Sequence, residues 1–113
     1  MSRLRHVKKR MVVQLRKLVK ELLHAASDQA FDAPPEIVGH IKELIVGLTR
    51  AIRLQESEGN QRQLMDQISI LERLDGIVSK RGFIQDLNKH HPDRYFNPLH
   101  EIYNDLKSGY WKH

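Results

Sequence analysis

The chain has 113 residues, 40% of them apolar, with no cysteine and a net charge of +5. That supports one domain around one modest core, and it excludes wholesale disorder, disulfide scaffolds, thiol nucleophiles and thiolate metal sites. The charge is uneven. Arg3, Arg5, Lys8, Lys9, Arg10, Arg16, Lys17 and Lys20 bring +8 to the first 20 residues, where no acid stands, and the remainder carries −3. No apolar run approaches the roughly 18 residues of a membrane span. No apolar stretch of the signal-peptide kind follows the basic start.

Taken along the chain, residues 3–26 form the first predicted helix. Leu4, Val7, Met11, Leu15, Leu18, Leu22 and Ala25 recur every three or four positions, and Val12, Val19 and Leu23 widen that stripe. Most of the basic residues fall on the opposite face. "SDQAFDAPPE" reads as a loop, because Pro34 and Pro35 suit a first turn and not a helix interior. Within it Phe31 is expected to pin the linker to the bundle, with exposed capture of a partner as the alternative. The second helix covers 35–55, with Ile37, Ile41, Leu44, Ile45, Leu48 and Ile52 inward. "ESEGN" ends it, since Gly59 or Asn60 can take a left-handed cap.

The third predicted helix, 61–76, buries Leu64, Ile68, Leu71 and Leu74 and stops at Gly76. A short fourth helix over 79–89 starts at Ser79 and turns Phe83, Ile84 and Leu87 inward, with Gly82 weakening it. "KHHPDRYF" reads as a loop. The fifth helix then starts at Asn97 as cap and Pro98 as first residue, and carries Leu99, Ile102, Tyr103 and Leu106. Phe96 is expected to staple that start. Alternating β-branched runs are absent, so the expected fold is all-α: a single domain, 1–113, built as a compact bundle of about five helices. A basic amphipathic helix occupies 1–30 and a short-helix bundle 36–113.

Three stretches carry a family resemblance. "ISILERLDGIVS", "DLNKHHPD" and "IYNDLKSGYWK" resemble, in order and spacing, the leucine-repeat helix, the helix-ending Leu-Lys-His stretch and the aromatic-lysine closing helix of one family. That family is the N-terminal domain of transcription elongation factor S-II, shared with the integrase-binding domain of the LEDGF protein. The likeness spans residues 37–111. It departs from the family at "KRGFIQ", which keeps Gly82 with Arg81 before it, and the first 30 residues have no counterpart. The resemblance implies a transcription-associated protein-interaction module that binds short disordered acidic-hydrophobic motifs at two hairpin tips. Carried over, one tip is Glu58, Gly59, Asn60 and Gln61, and the other is His90, His91, Asp93, Arg94 and Tyr95. It also implies a nuclear location within an intracellular protein, and that Tyr103 and Trp111 pack back to close the bundle.

The residues themselves leave other outlets open. Clustered Lys and Arg on the first helix suit nucleic-acid phosphates, DNA or RNA, as the alternative to motif binding. The same helix could lie on an anionic membrane, although its stripe lacks the Trp and Phe that favour this. Its stripe could pair with a second copy in a homodimer, or its charges could simply be solvated. His90, His91 and Asp93 do not make a metal site, since adjacent histidines diverge and zinc needs three or four converging ligands. They read instead as a polar loop. No nucleophile elbow surrounds Ser27, Ser57, Ser69, Ser79 or Ser108, and no phosphate loop or paired-carboxylate signature appears. Glu72, Asp75, Asp86, Glu101 and Asp105 read as solvated helix faces. The expected chain is therefore non-enzymatic and holds no cofactor.

Overall fold

The computed structural model describes residues 2–55, 61–90, 92–107 and 111, without the side chains of 2–5, 92 and 93. Five helices follow in order: α1 Ser2–Ser27, α2 Glu36–Leu54, α3 Gln61–Val78, α4 Phe83–Leu87 and α5 Pro92–Lys107. Among the described residues there is no strand, so the fold is all-α. The four long helices form a closed ring in which α1 packs on α2 and α5, and α3 packs on the same two. The molecule measures 44 × 22 × 21 Å. Its long axis follows α1, whose 26 residues span roughly 39 Å at 1.5 Å each.

The apolar periodicity of α1 is spent inside this ring. Val12, Leu15, Val19, Leu22, Leu23, Ala25 and Ala26 are buried among Ile41, Leu48, Ile52, Leu71, Leu74, Leu99, Ile102 and Leu106. Each fully buried Leu or Ile contributes on the order of 1.5–3 kcal/mol of transfer free energy. α1 is therefore one wall of a common core. The basic helix and the short helices of 36–113 share that core, so lifting α1 away would uncover the other helices.

The connections close the two ends differently. At the end where α1 finishes, Asn88 clamps the α1–α2 loop: its Oδ1 accepts from the Ala33 N–H at 2.9 Å and its Nδ2 donates to the Ala33 carbonyl at 3.0 Å. His90 lies beside it with φ 59°, left-handed for a residue other than Gly. Its Nδ1 donates to the Ala25 carbonyl at 2.8 Å and its Nε2 bonds Asp32 Oδ1 at 2.9 Å. Phe31 stacks on His24 at 4.2 Å and packs against the core, as a pinned linker requires. At the opposite end, Lys8 donates to Gln55 Oε1 at 2.8 Å, and its amine lies 5.7 Å from the Trp111 ring centre. Tyr103 and Trp111 both pack against the core. Arg73 of α3 pairs with Asp105 and Glu101 of α5 along the side.

Four sequence expectations need correction. Gly76 does not stop α3, which continues to Val78. Only Gly82 among the described glycines has a positive φ, at 74°, so Gly76 is an ordinary helical residue. Ser79 does not cap α4; its N–H bonds the Asp75 carbonyl and its hydroxyl bonds Asp75 Oδ1, so it finishes α3. Gly82 lies outside α4 and supplies the left-handed turn that reverses the chain, a conformation that costs Gly little. Finally α5 begins at Pro92 and not at Pro98, which stands inside the helix. Pro92 satisfies the first-turn rule equally well. Phe96 is accordingly a helical residue, packed against the core and stacked on His100 at 5.4 Å.

Candidate functional site

α1 presents two faces because 3.6 residues complete a turn. Its inner face is the core stripe. On its outer face Lys9, Arg10, Lys17 and Lys20 are all exposed, and Arg16 is half-exposed beside them. At about 100° per residue the four exposed cations fall within an arc of about 100°, opposite the buried stripe. Lys9 and Lys20 stand roughly 16 Å apart along the axis. His6 and Val13 share this face, and a shallow depression of about 350 Å³ lies among His6, Lys9, Arg10, Val13 and Gln14. Glu21, the nearest acid in α1, sits at the edge of the arc.

Lys8 departs from this pattern. Its place among the clustered cations predicts phosphate binding, yet it is 4% exposed and lies against the core end of the bundle. Its position in the heptad-like spacing is that of the buried stripe, so its apolar stem follows the core while its amine reaches Gln55 and Trp111. Burial lowers its pKa from 10.5 to about 8. It is thus a structural cation, not a surface one. Arg3 and Arg5 belong to α1, but their side chains lie outside the described residues.

Gln55 and His90, described residues before the first predicted tip and within the second, stand at opposite ends of α1. Gln55, which precedes the first tip, is joined to Lys8, whereas His90 of the second is joined to Ala25. Lys8 and Ala25 are seventeen positions apart on one helix, roughly 25 Å. Gln61 opens α3 and is exposed, while Glu58, Gly59, Asn60 and His91 lie outside the described residues. Asp93, Arg94 and Tyr95 are on the first turns of α5 and not in a loop. Tyr95 is only 7% exposed. Its ring meets Phe83 edge-on at 5.3 Å and its hydroxyl donates to Asp86. Arg94 donates to the same carboxylate at 2.7 Å.

This Asp86 brace has electrostatic consequences. The Tyr95 hydroxyl first, and then Arg94, hold the Asp86 carboxyl below its usual range. Desolvation, reinforced by Asp86, pushes the Tyr95 phenol up. Beside the brace lies a groove of about 530 Å³ lined by Ile77, Lys80, Arg81, Asp86, Arg94 and Pro98, among others. Sequence reasoning did not single out Lys80 or Arg81. The signal for them is tertiary, because only the turn at Gly82 brings the end of α3 against the start of α5.

Among the described residues no three His, Asp or Glu side chains gather as a metal set, and no helix is long and apolar enough to cross a membrane. Comparisons with protein-family models, with curated proteins and with solved structures give no match.

Proposed function

We propose that the chain is a non-enzymatic helical binding protein whose outer α1 face takes nucleic-acid phosphates. One observation carries this reading. The apolar stripe of α1 is already covered by α2 and α5, while Lys9, Arg10, Lys17 and Lys20 remain exposed together on the other side. A stripe so covered is not at hand for a membrane surface or for pairing with a second α1. The cations that remain match a phosphate strand in sign and in linear arrangement. They carry no base-reading geometry, so sequence-independent binding is expected.

Neutralising about four phosphates gives a salt slope near −3.6, or a roughly 100-fold loss of affinity on a fourfold increase in salt. The test is a titration of fluorescent DNA and RNA duplexes at two salt concentrations with the full chain and with a Lys9→Glu/Lys17→Glu/Lys20→Glu variant. These side chains are exposed, so the variant should keep its fold. Binding that is independent of salt, or unchanged in the variant, would overturn the assignment.

A second reading is protein recognition of a short disordered acidic motif, tied to transcription and the nucleus by the resemblance to the elongation-factor domain. The observation favouring it is the groove in which Lys80, Arg81 and Arg94 outnumber the single carboxylate of Asp86. On this reading one predicted tip, at Arg94 and Tyr95, works alone, with Tyr95 as the brace beneath it. Charge reversal at Lys80 and Arg81 should abolish motif binding and leave duplex binding intact. The reverse outcome would assign the groove to nucleic acid.

A further inference from the structure

The α2 surface carries a feature that neither reading uses. Val46 and Leu54 are 58% and 63% exposed. They sit eight positions apart on α2 and border an open groove of about 500 Å³ with Ile45, Thr49, Arg50 and Asp75. Eight residues cover roughly 12 Å, a little over two turns. Arg50 stands midway between the two apolar side chains. Asp75, on the α3 side, accepts from the Ser79 hydroxyl at 3.2 Å. Among the described residues no carboxylate is paired with Arg50.

We infer that this face docks an acidic amphipathic helix of another protein, with two apolar side chains seated at Val46 and Leu54 and a carboxylate between them on Arg50. Apolar anchors two turns apart are how a helix lies along another helix, since positions i, i+4 and i+8 share a face. Charge selects the occupant. In a two-fold contact between copies of this chain, Val46 would meet Leu54 of the second copy and Leu54 its Val46. That geometry puts Arg50 on the axis, against its own counterpart. Two guanidinium groups facing one another across an apolar contact repel, and the chain's net charge of +5 adds to that. A partner helix with an acid at its midpoint turns the same position into an ion pair. The α1 cations lie on another helix, so this proposal stands whether or not the duplex reading does.

The probe is an Ala-rich helical peptide of about 18 residues, long enough to hold helix in water, with two Leu eight positions apart and a Glu midway. Fluorescence anisotropy on the full chain reads its binding. Val46→Glu and Leu54→Glu should each weaken binding about tenfold or more, as loss of a central anchor does. Arg50→Glu should do the same, and a peptide with Lys in place of the middle Glu should bind Arg50→Glu better than it binds the native chain. All three side chains are exposed, so circular dichroism should be unchanged. Equal binding of the Glu and Lys peptides by the native chain would overturn the charge argument. Absence of binding would overturn the site. A dimer seen by light scattering that Val46→Glu dissociates would give the face to a second copy. Weakening by Lys17→Glu/Lys20→Glu in place of the α2 variants would move the peptide to α1.

Discussion

Replacing Lys8 by Met removes the amine and keeps the stem, and the consequence can be worked from its surroundings. Burial brings the Lys8 pKa down from 10.5 to about 8. Between those values the unfolded chain holds the proton and the folded chain does not, so native stability rises with pH across that window. For a fully dehydrated amine a displacement of this size corresponds to about 3 kcal/mol, and solvent screening at the end of the bundle brings it below that. Below pH 8 the folded state carries a buried ammonium whose partners among the described residues are Gln55 and the Trp111 ring. Lys8→Met should therefore be about 1–3 kcal/mol more stable than the native chain at pH 7, since an apolar stem in a buried site commonly outperforms a buried charge. The advantage should fade as pH approaches 10.5. Urea unfolding of both proteins at intervals from pH 7 to 10.5 measures this. Other titrating groups, including Tyr95, cancel in the difference between the two curves. If the curves run parallel, the Lys8 amine is hydrated in the folded state and the argument from burial fails.

Three further outcomes follow from particular contacts. Gly76→Ala should stabilise the fold by about 0.5–1 kcal/mol, because Gly76 is helical and an added Cβ meets nothing within 4 Å; thermal unfolding checks it, and a loss would mean that the glycine conformation is needed after all. Asn88→Ala removes both bonds to Ala33, which should cost about 1–3 kcal/mol and speed hydrogen exchange at the Ala33 amide more than at core amides of α3. Asp86→Asn removes a charge that stabilises the Tyr95 phenol, so the Tyr95 ring should ionise at lower pH than in the native chain. NMR of its ring carbons reports this, with Tyr103 as an internal control.

Hydrophobic period made α1 and α2 legible, because their buried residues recur every three or four positions; α1 has no proline or glycine, and Gly39 and Gly47 of α2 do not break its period. The region after Leu74 was not legible, for a physical reason. Gly76, Gly82, Pro92 and Pro98 are each compatible with a stop, a start or an interior position, so local chemistry leaves several solutions open. Tertiary contact chooses among them. Tyr95 packs on Phe83 and bonds Asp86, which ties the stretch from Pro92 to α4 and draws it into α5. Pro98, seven residues into α5, then costs the helix the interior backbone bond to the Arg94 carbonyl, a loss that the tertiary packing outweighs. Lys8 was illegible as a buried residue for a related reason. A lysine at a stripe position is ordinarily solvated, and only the nearby end of α2 and Trp111 make a closed place for it.

The same packing decides which surfaces can act together. Docking between two hairpin tips needs both at one end, but a ring of four long helices with short connections puts successive turns at alternate ends. Gln55 and His90 accordingly mark opposite ends of α1. A short motif of a few residues cannot touch both, since about 25 Å of helix separates them even before side chains are counted. The sides of the bundle offer what the tips do not, namely straight rows of residues on a rigid helix. On α1 the row is cationic, and on α2 it is two apolar side chains around Arg50. An extended polyanion suits the first and a helix suits the second, so both partners would lie along the long axis and neither would need the connections to change shape.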